Sequence, residues 1–243
     1  MERICEALGD PNGALVWQGR REIFFRESLP WFWTAPDSLP VQYYNAATGR
    51  RRPGAPYWVT SGLVTGMLEG PYLQSMLRLF DDRFDPMAAF GGGAMGLPKY
   101  PDISYTVYGL LCNGRSASAA EVVDVCLRDV VRSRWFAEQY ETRGVPYPSG
   151  VRPSLFGAVM MIDFTLLKNG LCIGGGEPVA VRLPGHTPGL HNLRYGDRTL
   201  DIAVGTGDKF TFSGSYLVEP VTRKMRPGDY FPIRDKSSSS GKK

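Results

Sequence analysis

The sequence predicts an α+β protein in which an antiparallel β-sandwich or barrel-like sheet in the C-terminal half is covered by helices from the middle of the chain. Three observations favour this class. The 243 residues are 43% hydrophobic and 21% charged, which is enough apolar material for a proper core. The 29 glycines and 19 prolines favour many short elements over a few long helices. Beyond residue 150, strand-like runs separated by turn residues recur about every ten residues.

The domain organisation follows from the even composition of the chain. No stretch has the composition of a linker, so we expect one α+β domain over residues 1–234. Within it, residues 1–150 hold an aromatic and proline-rich segment plus helices, and residues 151–234 hold the antiparallel strands. Residues 235–243, DKSSSSGKK, have no apolar side chain and are expected to form a disordered tail.

The aromatic and proline-rich segment reads REIFFRESLPWFWTAPDSLPVQYYN and covers residues 21–45. Prolines at this density disfavour a helix through the segment and predict an extended chain that wraps around the core. Trp31, Phe32 and Trp33 place more large rings in a row than a strand can bury on one face, so we treat them as a candidate partner-binding cluster. In the alternative interpretation these rings cover the core.

A run of three arginines follows in GRRRPGAP, residues 49–56, which glycine and proline predict to be a loop. Guanidinium groups bind phosphate and carboxylate through paired hydrogen bonds. Arg50, Arg51 and Arg52 are therefore candidate partner-binding residues. A solvated loop tip is the alternative interpretation.

The middle of the chain predicts three helices and one strand. Thr60 and Ser61 offer caps for the first helix, in which apolar residues at 63, 64, 67 and 68 have helix spacing. The second helix opens at Pro71, because proline is favoured in the first helical position. β-branched and aromatic residues predict a strand over 103–112. Ser118 and Glu121 form a capping box for the third helix, which continues to about residue 139 or 140. Its core-facing stripe consists of Val122, Val123, Cys126, Leu127, Val130 and Val131, with Trp135 and Phe136 closing its end.

The C-terminal half predicts strands throughout. The apolar run over 156–167 is assigned to the first strand, and Asn169-Gly170 after it is a strong signal for a hairpin turn. Later strands are predicted at LCI, VAVRL, HNLRY, TLDIAV, KFTFS and YLVEPV, with glycine- and proline-rich turns between them.

Both histidines lie in one stretch, residues 182–208, which reads RLPGHTPGLHNLRYGDRTLDIAVGTGD. The turn Gly185-His186-Thr187-Pro188-Gly189, followed downstream by Gly207-Asp208-Lys209-Phe210, resembles the later half of a metallo-β-lactamase-fold hydrolase over about fifty residues. The resemblance implies that His186 and Asp208 bind metal.

The sequence departs from that family at its main metal motif. The family's upstream His-x-His-x-Asp-His is missing, because no histidine precedes His186. Zinc takes three or four ligands from histidine, cysteine or carboxylate, so His186, His191 and Asp208 are too few for a two-metal centre. We therefore expect no metal and no cofactor. A metal-dependent hydrolase with a degenerate turn at His186 and Asp208 remains an alternative function.

The histidine and cysteine content bears on other catalytic sites and on the cellular compartment. Nucleophilic serine or cysteine sites would need one of the two histidines, whereas carboxylates brought together by the fold stay open. The four cysteines show no C-x-x-C spacing, which predicts reduced thiols, no disulfide and a cytoplasmic or nuclear location. No segment has the pattern of a signal peptide or a membrane span, so we expect a soluble protein that does not bind membranes.

These observations predict a non-enzymatic interaction or assembly protein. Its partner would be another protein or a second copy of the chain, bound through the aromatic N-terminal surface and the arginine loop. A net charge of +4 is small for a nucleic-acid binder, so weak binding of nucleic acid or another polyanion is the second alternative.

Overall fold

The computed structural model describes residues 1–33, 41–53, 63–64, 68–83, 100–136, 139–142, 146–149, 153–173 and 178–233. Within these ranges the chain forms helices first and antiparallel sheets later, which confirms the predicted α+β class. No helix in the described part of the chain is long and apolar enough to cross a membrane.

Six α-helices lie in the described ranges. Their bounds are α1 Glu2–Ala7, α2 Pro11–Ile23, α3 Gly70–Arg83, α4 Tyr100–Cys112, α5 Ser116–Ser133 and α6 Leu155–Lys168. Two of them begin at side-chain caps, because Asp10 accepts a hydrogen bond from the Gly13 N–H at 2.9 Å and Ser154 accepts one from Gly157 at 3.3 Å. After α2 the chain continues through a π-helical turn, Phe24–Ser28, and a 3₁₀ turn, Leu29–Phe32.

The strands form two hairpins and two larger sheets, all antiparallel. The hairpins pair β1 Val41–Asn45 with β2 Arg50–Pro53, and β3 Gln139–Thr142 with β4 Pro146–Ser149. The three-stranded sheet has the order β11-β6-β5, from Tyr230–Pro232, Val179–Val181 and Leu171–Cys172. The four-stranded sheet has the order β10-β9-β8-β7, from Val221–Lys224, Lys209–Ser213, Arg198–Val204 and Leu190–Tyr195.

The core has two parts that meet at the three-stranded sheet. Helices α4, α5 and α6 contact one another around residues such as Val107, Val123 and Phe164, which are fully buried. The second cluster lies against the four-stranded sheet. Within β6, Ala180 belongs to the second cluster and Val181 to the first, because successive side chains of a strand point to opposite faces. The short sheet therefore joins the helical and β parts.

Several predicted elements are confirmed. A helix begins at Gly70-Pro71, a helix crosses Val122 and Val123 with both side chains buried, and strands occur at LCI, VAVRL, HNLRY, TLDIAV and KFTFS. The last predicted strand, YLVEPV, is shorter, since only its final valine belongs to β10.

Two predicted strands are helices in the structure. Residues 103–112 lie in α4 and residues 156–167 lie in α6. A continuous apolar run is compatible with a buried helix and with a buried strand. In this chain the packing of α4, α5 and α6 against one another favours the helix. The Asn-Gly pair is not a hairpin turn either: the Asn169 N–H bonds to the carbonyls of Thr165 and Leu166, so the pair ends α6.

The ends of α5 also differ from the prediction. The helix starts at Ser116 with Arg115 as its N-cap, so the capping box of Ser118 and Glu121 is wrong. It stops at Ser133, because Arg134 takes the left-handed conformation at φ 60°. Val131 is exposed, as are Trp135 and Phe136, so these three side chains do not close the core.

The N-terminal segment is more regular than predicted. Helical turns continue to Phe32, and extended backbone is described at Trp33 and in strand β1, Val41–Asn45. The predicted arginine loop contains strand β2, Arg50–Pro53. Residues 1–150 therefore also hold two hairpins, and residues 151–234 also hold helix α6. The predicted helix caps Thr60 and Ser61 and the predicted tail, 235–243, lie outside the described residues.

Candidate interaction surface

The structure separates the predicted aromatic cluster at the end of the 3₁₀ turn. Trp31 is 48% exposed, whereas Trp33 is 3% exposed and belongs to the helical core. The Trp33 ring meets Tyr72 of α3 edge to face, with 5.1 Å between ring centroids. The side chain of Phe32 lies outside the described part. Trp31 is thus the ring of this cluster that reaches solvent in the described structure.

The predicted arginine site lies on strand β2. The backbone pairs Arg50 with Asn45, Arg51 with Tyr44 and Arg52 with Tyr43. Arg50 is exposed at the start of the strand, next to the turn. The side chains of Arg51 and Arg52 lie outside the described part. Strand β1 contacts the 3₁₀ turn that carries Trp31, so the two predicted partner-binding segments are neighbours.

His186 contacts the helical layer. Its Nε2 atom lies 3.3 Å from Asp124 Oδ2 of α5, and the side chain is buried. The other oxygen of Asp124 lies 3.5 Å from Lys168 Nζ at the end of α6. Asp124 therefore lies between the turn containing His186 and the end of α6, and the buried His186 Nε2 atom makes no hydrogen bond among the described residues.

Asp208 has a different partner. Its Oδ1 atom lies 2.9 Å from Arg182 Nη1, and the same guanidinium donates to the Met225 carbonyl. Arg182 also lies over the Phe210 ring, with its Cζ 5.3 Å from the centroid. This half-buried arginine connects three segments of the β part, and Asp208 balances its charge.

The three candidate metal ligands, His186, His191 and Asp208, each have a different neighbour. In the described ranges no three side chains among histidine, cysteine, aspartate and glutamate come together as a ligand set. His186 faces Asp124, Asp208 faces Arg182, and the exposed His191 pairs with Asp201 at 2.8 Å. The expectation of no metal at this turn, with metal binding as its alternative, stays a prediction that metal analysis of the purified protein can test.

The structure reveals a surface that the sequence reasoning missed, because α6 was assigned to a strand. One side of α6 carries Leu155, Phe156, Val159 and Ile162, which are 78%, 68%, 51% and 61% exposed. Their spacing places them on adjacent turns of one helix face. We call this surface, together with Trp135 and Phe136, the α6 outer face.

Local structure places Trp135 and Phe136 beside this helix. The Phe136 carbonyl accepts a hydrogen bond of 2.7 Å from the Ser154 N–H at the start of α6. Ser154 in turn caps the helix through the Gly157 N–H. The two aromatic residues are therefore held at the N-terminal end of the exposed apolar side chains.

The opposite side of α6 is part of the core. Met160, Met161, Phe164 and Leu167 are buried, with spacings of three and four residues. The helix is thus apolar on both sides, which is typical of a helix buried from both sides. In this chain only one side is covered among the described residues.

Basic residues lie on the last turns of α5. The chain continues from these turns to Trp135 and Phe136 of the α6 outer face. Arg128, Arg132 and Arg134 are exposed, and the carboxylate among them, Asp129, is buried and bonded to Arg132 at 2.7 Å. Arg134 directly precedes Trp135 in the chain. Arg134 therefore adds a positive charge to the border of the α6 outer face at Trp135, and Arg128 and Arg132 are exposed on the preceding turns.

No protein-family model matches this chain, and no curated protein matches it at a significant level.

Proposed function

We propose that this protein is a non-enzymatic interaction or assembly protein that binds a protein partner through the α6 outer face. The N-terminal surface with Trp31 and Arg50 is the second contact in this proposal. The supporting observation is that four large apolar side chains of a single helix face are more than half exposed.

The hydrophobic effect explains why such a face favours association. Monomeric soluble proteins rarely leave large contiguous apolar patches in water. Fully burying one side chain of this size contributes about 1.5–3 kcal/mol. The four side chains are 51–78% exposed, so covering them completely contributes roughly 4–8 kcal/mol by the same estimate, which lies within the range of the cost of bringing two molecules together.

The charged border specifies the chemistry of the partner. Arg128, Arg132 and Arg134 favour a partner whose apolar surface is edged by aspartate or glutamate. Opposite charges at the rim mainly raise the association rate and select among partners, while the buried apolar residues supply affinity. Phe156 is the expected anchor because aromatic side chains dominate interface energies.

The test compares two exposed apolar positions changed to the same acidic residue. The full chain, purified natively from its own cells, is examined by native mass spectrometry and light scattering, and the partner is then purified and titrated. We expect Phe156→Glu to weaken the complex at least tenfold. The matched control, Val218→Glu, changes an equally exposed residue before β10 and should leave the complex intact.

Each outcome of this experiment is informative. A complex of two identical chains, lost in Phe156→Glu, would identify the partner as a second copy. Arg134→Glu should slow association with an acidic partner several-fold at low salt. A wild-type chain that is always monomeric and alone, or a complex equally weakened by both glutamate variants, would contradict the proposal.

A further inference from the structure

A cleft of about 260 Å³ lies where the helical and β parts meet. The C-terminal half of α4 forms one wall, strands β5 and β6 form the second, and the turn into β11 closes it. The residues that line it are Tyr108, Leu111, Cys112, Cys172, Val179, Val181, Gly228 and Tyr230. Ligand sites concentrate in such recesses between structural layers, and sites for drug-sized ligands hold roughly 300–1,000 Å³. The cleft therefore suits a smaller molecule.

The described residues that line the cleft carry no formal charge. They are aliphatic side chains, two thiols, two phenol rings and one glycine. An anionic ligand would lose its hydration here without gaining a counter-charge from these residues, and the nearby Asp163 carboxylate is itself negative. An apolar wall with very few polar groups is the pattern of sites for neutral small molecules.

The turn at Gly228 forms one wall of the cleft. Gly228 has a φ of 93°, and a Cβ placed on it would lie 3.0 Å from Ser116 Oγ at the start of α5. Its N–H also donates to the Arg182 carbonyl at 2.7 Å. The backbone of this turn is thus hydrogen-bonded to the segment after β6, and Ser116 at the start of α5 lies close to Gly228.

Tyr108 supplies the polar group at the inner wall. Both Tyr108 and Cys172 line the cleft, and the Cys172 thiol is close enough to act on the Tyr108 hydroxyl. Desolvation, with contributions from Cys172 and Asp163, raises the pKa of the Tyr108 phenol well above its usual range, so the hydroxyl keeps its proton at neutral pH. Sulfur is a weak hydrogen-bond partner, and a ligand oxygen forms a stronger bond with the same hydroxyl.

We infer that this cleft binds a small neutral molecule with a flat apolar body and one oxygen acceptor, which meets the Tyr108 hydroxyl. The inference rests on the shape and chemistry of the cleft and is independent of the α6 outer face. Leu111, Val179 and Val181 contact the apolar body, and Tyr230 stands exposed at the mouth.

The test uses three probes of similar size on the full chain: acetophenone, ethylbenzene and benzoate. Acetophenone has the ring and one oxygen acceptor, ethylbenzene lacks the oxygen, and benzoate carries a charge. We expect saturable binding in the order acetophenone, then ethylbenzene, with benzoate weakest. Tyr108→Phe should weaken acetophenone about five- to tenfold, to the level of ethylbenzene, because one hydrogen bond is lost.

Two further variants locate the binding. Leu111→Trp fills the cleft and should abolish binding of both neutral probes, whereas Phe156→Glu on the α6 outer face should change nothing. Alkylation of wild-type Cys112 by N-ethylmaleimide should slow at saturating acetophenone, while Cys5 on α1 reacts at an unchanged rate. Unprotected Cys112, equal binding of benzoate, or an unaffected Tyr108→Phe would overturn the inference, even if Leu111→Trp failed to fold.

Discussion

The four-stranded sheet and helix α6 contain similar amounts of apolar side chain, but they differ in how much of it is exposed to solvent. In the sheet, Leu200, Ile202, Phe210 and Phe212 are all buried on one face. Between them stand polar residues such as Thr211, whose hydroxyl lies 3.1 Å from that of Thr222 on the neighbouring strand. Helix α6 instead buries one apolar side and exposes another.

Under the proposed function, this difference separates the part of the molecule that is complete without a partner from the part that a partner would cover. The two central strands, β8 and β9, alternate between buried apolar residues and more exposed residues that are mostly polar, so this part of the sheet has an outer surface already adapted to water. Helix α6 has no exposed polar side of this kind. Covering its apolar outer face with another surface would lower the free energy. The three predictions below test this contrast, beginning with the largest effect.

The same substitution in the two regions should have very different effects on the free energy of unfolding. Phe212 is fully buried and meets Phe231 with 5.1 Å between ring centroids. We expect Phe212→Ala to lower the free energy of unfolding by about 3–5 kcal/mol, because the substitution leaves a cavity. Urea denaturation followed by circular dichroism measures the change.

Phe156→Ala is the matched comparison on the α6 outer face. Because this ring is already exposed in the single chain, its removal should change the free energy of unfolding by no more than about 0.5 kcal/mol. A loss similar to that of Phe212→Ala would mean that Phe156 is covered in the free protein, and the contrast between the two regions would disappear.

Substitution of the glycine that follows β9 tests how rigid the four-stranded sheet is at this end. Gly214 has a φ of 112°, and a Cβ on it would collide with the Thr199 carbonyl oxygen. Gly214→Ala should therefore lower the free energy of unfolding by about 1–3 kcal/mol. Gly205→Ala is the control, since its nearest non-neighbouring atom would lie 3.7 Å away, and it should be neutral or slightly stabilising. Equal effects of the two variants would show that the sheet end adapts freely.

The smallest predicted effect is a pH dependence within α6. Desolvation raises the pKa of Asp163 in the folded chain above its ordinary value. The folded state then holds its proton more tightly than the unfolded state, so stability falls as the pH rises through the folded pKa. Asp163→Asn removes this contribution and should gain up to about 0.5 kcal/mol over the wild type between pH 4 and pH 7.

The baseline for this comparison is Glu219→Gln, which removes an exposed carboxylate from the segment before β10. The free energy of unfolding of Asp163→Asn minus that of the wild type should increase as pH rises. The corresponding difference for Glu219→Gln is subtracted first. A flat or reversed difference in urea titrations at the two pH values would contradict the assigned desolvation.

The strands were predictable where apolar and polar residues alternate, as in TLDIAV and KFTFS, because a period of two excludes a helix. The runs that became α4 and α6 have no clear period, and their chemistry allows either element. The candidate surface was missed for this reason: only a helix places Leu155, Val159 and Ile162 on one side. Trp33 could not be distinguished from Trp31 either, since burial depends on where α3 supplies Tyr72.

The sequence by itself determined the α+β class, the strands of the four-stranded sheet and the central helix α5, because local periodicity and turn residues specify these features. The tertiary structure alone decided that α6 is a helix with one side exposed, that His186 and Asp208 face different partners, and that Tyr108 lines a cleft with Cys172. These features depend on contacts between residues far apart in the chain, which no local pattern encodes.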